Sequence, residues 1–434
     1  MNLAKNNFII IILFLFIYSC SFDNKTSLWK EKSITENENI KIIFKNNENL
    51  IKQINSNLKI KIVSKSFNKS FVNNLNNNNG YVNYNGNLKR LRRYKFSNIE
   101  NFDKTESEII VHNQSLIFFD NKGNLLKFND KSKLEWKKNF YTKAEKKLGP
   151  ILSMSLSDNI LIVADNLAKY YAIDIVTGSL IWEKRNSSSF NSQIKILNDK
   201  FYIVDYQNIL RCFKVSSGEE LWKIQTENSF IKSRKKLSLA LSNDKIFFNN
   251  YIGDISSVNI NTGEMIWQTP TQKSSVYEDS FLLETSDVVL NDGQIFLSNN
   301  RNEFFSINQE NGFINWETSV NSSLRPTIID NLIFTITSNG FLVVLDKNTG
   351  KVIRSTFIFN QIKKNKLKNI KPIGFIVGLN NIYLSTDKGY LIIIDIESGK
   401  SNSMIKIAGG KILRPYISSN DLYIIKSNSV IKFD

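Results

Sequence analysis

One eleven-residue frame is written again and again along the second two-thirds of the chain. Its clearest copy is AIDIVTGSLIW, Ala172 to Trp182, and it returns as CFKVSSGEELW (Cys212 to Trp222), SVNINTGEMIW (Ser257 to Trp267) and SINQENGFINW (Ser306 to Trp316). Looser copies begin at Val344 and Ile393, a shorter one without its glycine ends at Trp136, and the chain stops in a partial copy at Lys432–Asp434. The copies recur at spacings of 38 to 49 residues, the interval of propeller and solenoid repeats. Repetition of this kind lets a single closed architecture absorb 434 residues that length alone would divide into several domains.

Within one period the apolar runs are short, rich in Ile, Val, Phe and Tyr, and separated by Asn, Asp, Gly or Ser. After Trp182 come IKILN, a turn at Asp199-Lys200, FYIVD, a turn near Gln207-Asn208, and LRCFKV before Gly218. This is the pattern of tight antiparallel hairpins, with room for four strands per period. Asn243-Asp244, Asn291-Asp292-Gly293, Asp330-Asn331, Asn380-Asn381 and Asn420-Asp421 take the first turn of later units, and His112, the one histidine, takes it in the first. Seven units fit between Ile109 and about Met404, and the tail from Leu413 supplies three strands of an eighth. The orphan run Leu88–Phe96 supplies the fourth. Pairing the two ends removes an exposed sheet edge, so the expectation is an all-β, eight-bladed β-propeller of four-stranded antiparallel blades, its last blade closed by the N-terminal strand. A seven-bladed ring with an irregular extra sheet is the alternative.

In the frame itself, glycine permits a turn with positive φ, and the small first residue leaves room for a large neighbour. A tryptophan there buries a large area between blades. Trp136, Trp182, Trp222, Trp267 and Trp316 are therefore read as a structural girdle, and the Arg354 and Ser403 copies as tolerated losses. Cys212 stands in the small-residue column held by Ala172, Ser257 and Ser306 and is expected to be a buried hydrophobe.

The N-terminus is of another kind. Lys5, the apolar run Phe8 to Ile17 and then Ser19-Cys20 have the layout of a secretory signal too short to span a bilayer. Residues 1–19 are expected to be a signal peptide, 20–87 a lipidated N-terminus and Asn-rich tether (with Asn73 to Gly80 as a low-complexity loop or linker), and 88–434 the propeller. No role is apparent for Trp29. The net charge of +17 invites an anionic partner, and it also follows from the abundance of lysine in solvated turns. Basic clusters stand at Lys89-Arg90-Arg92-Arg93, at Lys232-Arg234-Lys235-Lys236 and over Lys363 to Lys371, the last of these suited to anionic lipid. An exported chain argues against nucleic acid. No His/Cys cluster, phosphate-cradling glycine loop or vicinal cysteine pair occurs, so no catalytic residue, metal or cofactor is expected.

The frame A-x-D-x-x-T-G-x-x-x-W resembles the tryptophan-docking repeat of the quinoprotein (PQQ-type) propellers, and Ile17-Tyr18-Ser19-Cys20 resembles a bacterial lipobox. Together they resemble the BamB-like outer-membrane lipoproteins over Leu88 to Asp434. That resemblance implies lipidation (palmitate) at Cys20, attachment at the periplasmic face of the outer membrane, and a non-enzymatic scaffold in the β-barrel assembly (BAM) machinery, monomeric within its complex. It also implies docking onto the POTRA region of a BamA-like protein through two loops. Phe230, Ile231 and Arg234 fall in the first and Glu284 in the acidic second, although the Leu-Ser-Leu-Arg run and second acid usual there are missing. A PQQ-dependent dehydrogenase or a ligand-binding periplasmic propeller is the alternative reading.

Overall fold

The computed structural model describes residues 52–63, 67, 76–227, 235–271, 283–360 and 370–434. It places them all in one compact unit that begins at Glu48. Thirty-two strands among these residues form eight four-stranded antiparallel sheets. Blades 1 to 7 are each continuous in sequence, over residues 110–138, 152–185, 195–225, 239–269, 289–318, 327–357 and 372–406. Blade 8 takes three strands from residues 416–433, and Arg90–Lys95 adds the fourth by pairing with Ser429–Phe433. The expected eight-bladed ring and its closure by the N-terminal strand are both present. First strands of successive blades touch one another from blade 1 to blade 5, so they line the axis while the fourth strands form the rim.

Hairpin chemistry explains the strand breaks. The turn after His112 places both Asn113 and Gln114 at positive φ (46° and 63°), and Asp292-Gly293 does the same (46° and 73°), as primed hairpin turns require. His112 is thus a turn residue, with Asn113 Nδ2 at 3.0 Å from its Nε2.

Register shows why the frame has its composition. The small first residue pairs with the tryptophan across the third and fourth strands: Ala172 with Trp182, Cys212 with Trp222, Ser257 with Trp267 and Ser306 with Trp316. A bulge follows each pair. Cys212 is fully buried, and burial pushes its thiol up to about 12. The acid or amide at the third position organises the turn. Asp174 accepts from the backbone N–H of Val176 (3.0 Å) and Thr177 (2.7 Å), and Asn259 accepts from those of Asn261 and Thr262.

Each tryptophan then covers the glycine turn of the next blade. A Cβ on Gly218 would lie 2.6 Å from the Trp182 ring, and the same distance separates a Cβ on Gly263 from Trp222. Gly178, Gly312 and Gly350 meet Trp136, Trp267 and Trp316 in the same way. Trp182, Trp267 and Trp316 also donate Nε1–H to the carbonyl three residues before the covered glycine, at 2.9, 3.1 and 2.9 Å. Trp136 and Trp222 carry a buried Nε1 with no such bond among the described residues.

Reading Arg354 as a tolerated loss needs correction. Its guanidinium lies flat over Gly399 and donates to Ile396 O at 3.1 Å, three residues before that glycine. Arginine shares with tryptophan a planar, hydrogen-bonding tip, so the stack survives the exchange. Arg92, on the closing strand, occupies the same register opposite Lys432 and donates Nε–H to Asp130 O of blade 1 at 3.3 Å. Only Ser403, which is exposed, drops the device at its junction.

The stretch read as a tether also enters the fold. Residues 76–84 run along the inner strands, and Asn78 is fully buried. Its amide donates to Leu239 O (2.7 Å) in blade 4 and Val288 O (2.8 Å) at the entry to blade 5, and accepts from Lys195 Nζ (2.6 Å) in blade 3. Asn79 exchanges two hydrogen bonds with Ile328 of blade 6, and Tyr81 bridges Val377 of blade 7. Asn76 O and Asn77 O accept from the N–H groups of Leu241 and Leu290. Earlier still, Ile54 pairs with Ser355 on the rim of blade 6, and Ile60 N–H donates to Glu397 O of blade 7.

The stack predicts unequal glycine substitutions. Gly263→Ala combines a φ of +77° with the approach to Trp222, whereas Gly293→Ala has a φ of +73° and open space around its Cβ. Backbone strain alone costs ~1–2 kcal/mol. Gly263→Ala is therefore expected to lose about 1–2 kcal/mol more than Gly293→Ala in urea unfolding, with the slope unchanged. Equal losses would count against a stability role for the stack.

Candidate interaction site on the axial face

The chain segments that enter the first strands converge around the axis, and they are heavily charged. Glu108 precedes blade 1, Lys235 and Lys236 precede blade 4, Asp287 precedes blade 5, Arg325 precedes blade 6 and Arg414 precedes blade 8. Arg325 Nε and Arg414 NH1 both bind Asp287 Oδ2, the latter at 3.4 Å. Glu108 Oε1 accepts from Arg414 NH2 and lies 3.7 Å from Arg325 NH2. Burial alone raises the pKa of Asp287, but Arg325, Lys235 and Arg414 outweigh it and hold the carboxyl below its ordinary range. Lys236 Nζ donates to Ser153 Oγ of blade 2 at 2.6 Å. These charges tie together blades that are far apart in sequence.

Beside this cluster lie the ends of the two loops singled out by sequence. Lys235 follows the first loop directly, and its Nζ donates to Ser323 O. Glu284 lies at the start of the described part of the second, just after Leu283, and its Oε2 accepts from Ser323 Oγ at 3.4 Å. The Glu284 backbone is fixed by exchange with Asn300, N–H to Oδ1 at 3.0 Å and carbonyl to N–H at 3.0 Å. Leu283 beside it is buried. The two loop ends and the connection into blade 6 therefore meet at one residue, Ser323. Phe230, Ile231 and Arg234 lie outside the described residues, as do Cys20, Trp29 and the lysine run 363–368. The convergence at Ser323 had no sequence signal, because it arises only when blades 3 to 6 are set around the ring.

Quinoprotein chemistry needs a stacking tryptophan in the central cavity. Here the five girdle tryptophans stand on fourth strands at the rim, and the chain's own Asn76 to Tyr81 lies against the inner strands. Among the described residues no group of three or more His, Cys, Asp or Glu is placed to hold a metal. Nor is any helix there long and apolar enough to cross a membrane.

The buried axis carries a pH signature. Burial, and secondarily the nearby Arg325, pull Lys195 down to about 7, whereas an unfolded lysine titrates near ~10.4. Between these values the unfolded chain binds a proton that the folded chain does not, so stability rises with pH. The penalty is fully present below pH ~7 and gone above ~10.4. Relative to Lys195→Met, the unsubstituted protein is expected to gain unfolding free energy from pH 7 to pH 10. Parallel pH curves for the two proteins would contradict the buried-lysine assignment.

Comparison with known proteins follows the geometry. The crystal structure of BamB from Moraxella catarrhalis superimposes with a TM-score of 0.66 at 14% sequence identity, over 80% of this chain and 100% of that one. The crystal structure of the computationally designed Ika8 protein gives 0.60 at 9% identity, over 78% and 99%. At such identities the likeness is one of fold. No curated protein sequence matches the chain. The sequence model of the family described as outer membrane protein assembly factor BamB matches residues 121–356, more than half the chain, and the protein belongs to that family of PQQ-type propellers.

Proposed function

We propose that this protein is a non-enzymatic lipoprotein scaffold of the outer-membrane β-barrel assembly machinery. Cys20 carries the lipid and holds the chain to the periplasmic face of the outer membrane. The loops spanning 228–234 and 280–286 dock onto the POTRA region of a BamA-like protein and so assist folding and insertion of outer-membrane proteins. Family membership over residues 121–356 supports the general assignment. The observation that carries the docking surface is the meeting of both loop ends at Ser323, through Lys235 on one side and Glu284 on the other. Two loops separated by a whole blade in sequence thereby act as one surface, with Phe230 and Ile231 as its apolar contacts and Arg234 and Glu284 as its charges. No cofactor enters this reading.

A PQQ-dependent or ligand-binding propeller would use the axis instead. The hydrogen bonds that Asn78 and Asn79 make to blades 3 to 6 favour the scaffold reading, because the chain itself occupies that place.

The test is a pull-down of the chain by the POTRA region of the same organism's BamA. Retention of the unsubstituted protein is expected. Arg234→Ala and Glu284→Ala are expected to weaken it about tenfold or more each, in keeping with charged groups near an interface centre, without change in thermal stability. Failure of the unsubstituted protein to bind removes the scaffold reading. Binding that ignores both substitutions relocates the surface.

A further inference from the structure

Seven of the eight blade junctions are sealed by a tryptophan or arginine laid over the next turn, and the junction after blade 7 is not. Ser403 stands there, exposed, opposite Ile393. On the other side of that junction, blade 8 presents a row of cations. Arg90 pairs in register with Phe433, Arg93 with Ile431 and Lys95 with Ser429, while Lys426 pairs with Ser429 from the opposite strand. Phe433, Ile431, Leu422 and Ile424 pack together toward blade 7 with Ile393 and Leu391. Cross-strand pairing with Phe433, Ile431 and Ser429, across a bulge between Arg90 and Arg92, therefore carries Arg90, Arg93, Lys95 and Lys426 to the same, blade-7 side of the sheet. Arg92 and Tyr94 point the other way, into blade 1.

None of these four cations pairs with a carboxylate among the described residues. Arg93 donates only to neutral partners, Ser429 Oγ at 3.1 Å and Asn428 Oδ1 at 3.5 Å. The contrast with other arginines of the chain is sharp, since Arg185, Arg211, Arg325 and Arg414 all bind carboxylates. Burial, then repulsion from Arg93 and Arg90, pulls Lys426 down, so an anion brought here would relieve a standing repulsion.

We propose that this rim of blade 8, Arg90, Arg93, Lys95 and Lys426, is a seat for the phosphate groups of an anionic membrane surface. A protein partner would call for an apolar centre to the patch, and among the described residues blade 8 itself carries no exposed large hydrophobic side chain. Arginine forks match phosphate oxygens. The stem of the N-terminal segment reinforces the choice. It runs along the same rim, bonded to blade 6 at Ile54 and to blade 7 at Ile60. A basic patch is one of the signals on which membrane attachment draws. The claim stands whether or not Cys20 is lipidated.

The test uses the unlipidated chain from residue 21 onward, which keeps the whole compact unit. It is co-sedimented with phosphatidylcholine vesicles containing about a third phosphatidylglycerol (enough negative charge to draw juxtamembrane cations), and with phosphatidylcholine alone. Binding to the anionic vesicles only, weakening with salt, is expected. The triple variant Arg90→Gln, Arg93→Gln, Lys95→Gln should bind on the order of a hundred-fold less. A control triple at the exposed Lys122, Lys143 and Lys147 should stay within about threefold. Should the first triple fold poorly by thermal melting, Arg90→Glu alone serves, because Arg90 is exposed, and at least a tenfold loss is expected. Equal loss in the control, equal binding to neutral vesicles, or capture by polyglutamate but not by anionic vesicles would each overturn the proposal. Inorganic phosphate in millimolar excess should compete weakly; full displacement by it would assign the seat to free phosphate instead.

Discussion

A planar side chain lying over a glycine turn holds this ring together. The contact sits between blades, so seven of the eight junctions are joined by the same device, and the ring closes because the device recurs at a nearly constant spacing. Its demands propagate inward. In most copies the glycine keeps a positive φ, an acid or amide at the third position caps the turn and the first residue is small, while Lys214 and, opposite Trp136, Lys127 depart from the pattern. Where the indole is absent, at Arg354 and Arg92, a guanidinium meets the same demands with the same acceptor carbonyl. What the device requires is flatness rather than aromaticity, and the donated bond is not essential, since Trp136 and Trp222 cover their turns without one.

Much of this was legible from the residues alone. Blade number, strand number, closing strand and the burial of Cys212 all follow from the frame, because every copy encodes its own turn and its own neighbour. The roles of Arg354 and Arg92 were harder to see, since letter matching tracks residue type and not the shape of a side-chain tip. The Asn-rich run was least legible. Burial usually announces itself through apolar periodicity, whereas Asn78 and Asn79 are buried by satisfying the inner strands' backbone groups. Four consecutive asparagines look the same in a solvated loop. The axial charges and the meeting at Ser323 join positions on different blades, from 38 to 306 residues apart, which only the assembled ring brings together.

These features divide the molecule by function. The axis is occupied by the chain's own amides and by a charge cluster whose members serve one another, so it acts as a pin. The loops on the axial face and the rim of blade 8 are the surfaces proposed for partners. A scaffold needs that arrangement: a rigid wheel, one face for a protein and one edge for its support. Lysine and arginine in excess over acids are then placed for two ends, internal ties at Asp287 and Glu108 and an open row at Arg90 to Lys95.

Everything in this division depends on residues 76–80 being an internal pin rather than a tether. Amide hydrogen exchange tests that directly, at the Leu241 and Leu290 N–H groups that donate to Asn76 O and Asn77 O. If the segment is integral, both amides exchange only through global unfolding, with the protection of the blade cores. If they exchange at the rate of exposed loops while the blade cores stay protected, the axis is open and the account is wrong.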